Sequence, residues 1–130
     1  MAHSITVTSS RREEMIDITS DVAEIVAKHY PSGGLCCVYT PHTTAAVTIN
    51  ENADPSVRTD IIKGLASLGL EKIPFSHREG NSPAHIKSSL IGCSCVIFIE
   101  NGRLKLGTWQ GIYFCEFDGP RTRTVMVKAV

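Results

Sequence analysis

The chain lacks an excess of charge of either sign: thirteen Lys and Arg stand against thirteen Asp and Glu. Nucleic-acid binders usually carry a basic surplus or stripe, so that class is not expected. No apolar run approaches the roughly 20 residues that cross a bilayer as a helix, so no membrane partner is expected either. Met1-Ala2-His3-Ser4 offers neither a basic start nor an apolar stretch behind it, and a cytoplasmic setting follows as the expectation. No C-x-x-C spacing occurs among Cys36, Cys37, Cys93, Cys95 and Cys115. Their odd number favours free thiols, and their apolar, strand-like surroundings predict small core residues rather than a metal or redox centre. There is no repeat, no linker and no aspartate-rich run of the kind that holds magnesium pyrophosphate.

What is present fits one globular domain over residues 1–130, long enough to bury a core without staples. Alternation predicts strands at 4–9 and 15–18. Val22, Ile25, Val26 and His29 keep helical spacing until Pro31-Ser32-Gly33-Gly34 stops it. Strands are expected at 35–40 and 45–50. Asp54-Pro55 reads as an N-cap with proline at the first helical position, and the helix carries Val57, Ile61, Leu65 and Leu68. Ser82-Pro83 repeats that signal ahead of Ile86 and Leu90. A strand at 96–99 leads into the hairpin signal Asn101-Gly102. Strands at 104–106, 112–117 and 124–130 complete an α+β fold, mainly antiparallel sheet or sandwich with three helices.

Three histidines stand out by their surroundings. His42 sits between two strands in Thr40-Pro41-His42-Thr43-Thr44, where sites are commonly built, though a loop histidine beside threonines is also an ordinary surface feature. His77 precedes the sharp bend Gly80-Asn81. His85 falls in the first turn behind Ser82, where the helix dipole favours the neutral imidazole that a metal or a proton requires. Converging, the three would match a catalytic zinc site with an open position. His3 and His29 are read as structural. Asp54 is explained by its cap, which leaves Glu51 as the better candidate base. Trp109, between Gly107 and Gly111, reads as a core or interface aromatic ahead of a ligand-stacking one. Arg121 follows the Asp118-Gly119-Pro120 turn and either clamps a phosphate or carboxylate or pairs with Asp118. Lys87 is expected to add to an anion site.

The runs Pro41-His42-Thr43-Thr44-Ala45-Ala46-Val47, Asn50-Glu51-Asn52-Ala53-Asp54-Pro55, His77 to His85, Gly107-Thr108-Trp109-Gln110 and Glu116 to Arg121 together resemble the YjbQ-like family, uncharacterised protein family 0047. They cover nearly the whole chain, with Pro41 standing where that family usually has serine. The resemblance implies a homotrimer with a polar pocket at or near the subunit boundary, lined by the matched histidines. It also implies a divalent metal there, zinc in some relatives, and a weak thiamine-phosphate synthase activity. That reaction joins a pyrimidine pyrophosphate to a thiazole phosphate and releases pyrophosphate, for which magnesium would be the natural ion. On this basis the expected activity is that of a small-molecule enzyme. His42, His77 and His85 are its metal ligands or acid and base, and Glu51 is its base. Asn81 and Gln110 orient the substrate, while Arg121 and Lys87 hold phosphate. The alternative is a non-catalytic homotrimer that binds a metal or a phosphorylated metabolite.

Overall fold

The computed structural model describes residues 1–130 throughout. Along the chain lie β1 (His3–Thr8), β2 (Glu14–Asp17), α1 (Thr19–His29), β3 (Gly34–Tyr39), β4 (Ala45–Glu51), α2 (Pro55–Ala66) and α3 (Ser82–Ile91). They are followed by β5 (Ser94–Glu100), β6 (Arg103–Leu104), β7 (Gln110–Glu116) and β8 (Thr122–Ala129), and a single 3-10 turn at Leu70–Lys72 lies between α2 and α3. Every strand pairing is antiparallel. Two sheets result, one ordered β1-β8-β3-β5-β6 and one ordered β2-β7-β4. The fold is the expected single-domain α+β sandwich with three helices.

Period-two patterning explains how the layers stack. Cys36 and Val38 on β3, Ile97 and Ile99 on β5, and Val125 and Val127 on β8 point into the sandwich. They meet Ala45 and Val47 of β4 and Ile112 and Phe114 of β7, and Val22 and Val26 of α1 join the same core. The alternate residues of the small sheet, Ala46, Tyr113 and Cys115, face a second core with Ala84 of α3 and partly buried Ile61 and Leu65 of α2. The small sheet is thus buried on both faces where α3 packs, and Ala45-Ala46-Val47 of β4 and Ile112 to Cys115 of β7 are continuous apolar runs for that reason. The large sheet is covered on one face only. Leu35, Tyr39, Val96 and Phe98 project from its other face and stay exposed, with Leu35 directly opposite Phe98.

Three local expectations change. Ser82 is not the cap of α3: Asn81 holds that place, without a side-chain cap, and Ser82 lies inside the first turn. The strand expected at 104–106 shrinks to Arg103–Leu104, closing the hairpin through Asn101 and Gly102, both at positive φ. The cysteines are not all core residues. Cys36 and Cys115 are buried and Cys95 half-buried, whereas Cys37 and Cys93 are exposed, because Cys37 falls on the outward phase of β3 and Cys93 precedes β5. Asp54 caps α2 as expected, accepting from the Ser56 N–H at 2.9 Å.

Candidate functional site

The chain changes sheets between β3 and β4, and His42 sits on that crossover. β3 stops pairing with β8 at Tyr39 opposite Met126. Beyond that point side chains take over the ladder. His42 Nε2 accepts the Thr124 N–H at 3.0 Å, and the Thr40 hydroxyl donates to the Thr124 carbonyl at 3.3 Å. Burial, and then the nearby Arg123 cation, hold the His42 imidazole below its ordinary value, with Glu116 opposing. A neutral imidazole that accepts through Nε2 carries its proton on Nδ1.

His77 belongs to the irregular segment before α3. The Gly80 N–H donates to the His77 carbonyl at 3.1 Å, closing a turn that needs positive φ at Gly80 and finds it at 71°. His85 comes from α3, which is fixed to β4 by the Ser88 hydroxyl donating to the Ala45 carbonyl at 2.6 Å. The His77 and His85 rings meet edge to face with centroids 5.3 Å apart. Asn81 ties this wall to the β7–β8 turn, its amide donating to Asp118 Oδ2 at 2.9 Å. Arg121 binds the same carboxylate oxygen at 3.1 Å and donates from Nε to the Asp118 carbonyl at 2.9 Å.

Together these segments enclose a pocket of about 410 Å³ that takes in His42, His77 and His85, along with Asn81, Asp118 and Arg121. Apart from Pro41, every lining side chain is polar or charged. Arg123 also reaches it. Its side chain is only 3% exposed and pairs with the fully buried Glu116. Nε lies 3.0 Å from Glu116 Oε1, and Nη2 donates to Thr44 Oγ1 at 2.8 Å and to Glu116 Oε2. Burial alone would raise the Glu116 acid, but the Arg123 guanidinium, the Ser9 hydroxyl and the Asp118 N–H outweigh it and keep the carboxylate ionised. Nothing in the sequence reading singled out Arg123. The signal was its phase: it alternates with Val125 and Val127, which places a cation on the core face of a strand.

Several expectations change here. No three His, Cys, Asp or Glu side chains are grouped so as to hold one metal ion. The pocket gathers the histidines, but His42 spends its Nε2 lone pair on β8. Of the three, only His77 and His85 have rings in contact. Lys87 is no anion ligand: its side chain is sealed, and Nζ lies 2.5 Å from Glu13 Oε2 and 2.8 Å from Glu71 Oε1. Burial opposes the Lys87 charge, yet those two carboxylates outweigh it and raise its pKa. Arg121 is already committed to Asp118. Glu51 and Gln110 face each other at the far end of the β4–β7 ladder, six residues from Ala45 and Glu116. That is roughly 20 Å along a strand, so within one chain neither reaches the pocket. Gln110 instead closes its own turn, accepting the Gly107 N–H at 2.8 Å. Trp109 is 63% exposed, which excludes a core role.

Residues 3–130 match the family described as UPF0047 protein YjbQ-like. A UPF0047 protein of Methanocaldococcus jannaschii is 52% identical over 124 residues, covering 95% of this chain and 90% of that protein. UPF0047 protein YugU of Bacillus subtilis is 48% identical over 133 residues, covering 98% of each. An uncharacterized conserved protein of the YjbQ/UPF0047 family from Clostridium acetobutylicum has a crystal structure that superposes with a TM-score of 0.95 at 52% identity, covering 98% of this chain and 99% of that one. With sequence and architecture agreeing over almost its full length, the chain belongs to the YjbQ-like UPF0047 family.

Proposed function

We propose that the chain is an enzyme acting on a small phosphorylated metabolite in the three-histidine pocket. One observation carries this reading: imidazoles from the β3–β4 loop, the segment before α3 and α3 itself line one polar cavity with a buried arginine in its wall. The touching pair His77 and His85 is the proposed acid–base element. Where that pair instead holds a divalent metal, zinc by the preference of imidazole donors, the ion would supply Lewis acidity toward a substrate oxygen. Asn81 is the proposed orienting residue, because its Oδ1 is the one buried side-chain polar atom without a partner. The weak thiamine-phosphate synthase activity implied by the resemblance is proposed as a side reaction. Its two heterocycles would meet no hydrocarbon side chain here besides the Pro41 ring.

A homotrimer is part of the proposal. Its support is the uncovered apolar face of the large sheet around Leu35, Tyr39, Val96 and Phe98. A cytoplasmic setting accords with five free cysteines, and no helix is long and apolar enough to cross a membrane. The test is turnover of a panel of phosphorylated metabolites with and without zinc or magnesium, repeated on His77→Ala and His85→Ala. Turnover abolished in both variants supports the enzyme. Metal or metabolite binding without turnover across the panel replaces it with the binding protein.

A further inference from the structure

We propose that the Pro41–Thr44 loop and the Arg123 guanidinium form a subsite for the phosphate group of a phosphate monoester. The proposal rests on the reading of the pocket given above and assigns that group its place within it.

The Arg123 side chain is almost entirely buried, yet its hydrogen bonding is incomplete. Nε and Nη2 are occupied by Glu116 and Thr44. Nη1 has no partner, and it is not sealed either, since Asn81 Oδ1 is the only fully buried side-chain polar atom left unpaired. Arg123 lines the pocket, which makes Nη1 the nitrogen left available to a ligand there. A donor held this firmly by two neighbours loses little freedom when it binds an acceptor.

The loop beside it adds donors of the same kind. The N–H groups of His42, Thr43 and Thr44 find no acceptor within the chain, and all three residues line the pocket. Backbone donors left unpaired at a pocket wall are free to meet an acceptor from outside. The Nδ1 proton of His42 contributes one more donor, because Nε2 is held by Thr124. The Pro41–Thr44 loop itself carries no carboxylate. Glu116 is spent on Arg123 and Ser9, and Asp118 Oδ2 already accepts from Arg121 and Asn81. Glu79, the other acid of the pocket, is exposed on the His77–Gly80 turn. The loop wall therefore gathers several donors with no carboxylate among its own residues, which suits the several acceptor oxygens of a phosphate. Because Glu116 offsets the Arg123 charge, recognition comes from directed hydrogen bonds more than from net charge.

The experiment is a titration of the 15N-labelled full chain with inorganic phosphate and with methyl phosphate, at constant ionic strength set by chloride. The expected result is that the His42, Thr43 and Thr44 amides and the Arg123 Nε–H move along one saturable curve. In Arg123→Lys, which keeps a cation for Glu116, that curve shifts to about tenfold higher phosphate. If that variant does not fold, the parent titration decides alone. The response persists in the His77→Ala, His85→Ala double variant, which separates this subsite from the catalytic reading of that pair. Unmoved loop amides, a response confined to Arg121, or an equal response to chloride would overturn the subsite.

Discussion

Lys87 and Glu71 join the two pieces of chain that supply the histidine pair. Lys87 lies two residues beyond His85 on α3, and Glu71 lies in the 3-10 turn that precedes the irregular segment carrying His77. Their 2.8 Å ion pair, buttressed by Glu13, fastens one ring's support to the other's. What looked like an anion ligand is a strut under the pocket. Lys87→Ala would leave two carboxylates facing each other and a void where the stem was packed. The expected loss is about 2–4 kcal/mol in chemical denaturation, less than for a fully sealed pair because Glu71 is half exposed.

Glu71→Gln is the milder test of the same strut. It leaves Lys87 paired with Glu13, so the stability cost should stay near 1 kcal/mol or below. The local effect should be larger. Ring-to-ring contacts between His77 and His85, read by nuclear Overhauser effects, should weaken, while the His42 ring signals stay where they are.

The pH dependence of stability has a defined sign at His42. Its folded pKa lies below the ordinary 6.5 because of burial and the neighbouring Arg123 cation. Between those two values the unfolded chain binds more protons than the folded one, so stability falls as pH drops below about 6.5. His42→Asn should be less stable than the parent at pH 7, by about 1 kcal/mol for the lost hydrogen bond, and that gap should narrow by pH 5. Glu116 acts in a lower window. Its folded pKa lies below 4.5, so its contribution is lost only in stronger acid. Urea denaturation at a series of pH values separates the two.

Gly111 has no room for a methyl group. An added Cβ would run into the Asn52 side chain, which donates to Asp17 at 3.1 Å and links the end of β4 to the end of β2. Gly111→Ala should cost about 1–3 kcal/mol by overpacking. Phosphate binding should be unaffected, since this network lies at the opposite end of the ladder from the pocket.

Glu51→Ala and Gln110→Ala should leave phosphate affinity within about twofold, distant charges being screened at ordinary ionic strength. A much larger loss would mean that the far end of the ladder on one subunit meets the pocket of another.

Much of this architecture was legible in the residues. Asp54-Pro55 and Asn101-Gly102 encode their structures locally, and both formed where the sequence placed them. The meeting of His42, His77 and His85 in one pocket came from matched motifs, not from spacing, because convergence of distant segments has no local signature. Lys87 misled for a related reason. A lysine early in a helix looks solvated until Glu13 and Glu71, far away along the chain, arrive to seal it. Glu51 and Gln110 misled through their company. They share motifs with pocket residues, but a strand of seven residues carries its two ends apart. Arg123 was readable from strand phase and was hidden by the more conspicuous Arg121 in the adjacent turn.

One feature ties sheet mechanics to site chemistry. Where β3 departs, the next rung of β8 is completed by an imidazole, so residue 42 is answerable to the backbone as well as to any ligand. A replacement that cannot accept a hydrogen bond would strand an amide on the strand that carries Arg123. Hydrogen exchange at Thr124 thus becomes a gauge of the loop's seating, and a ligand drawing His42 forward would register there as fraying one residue from its own arginine.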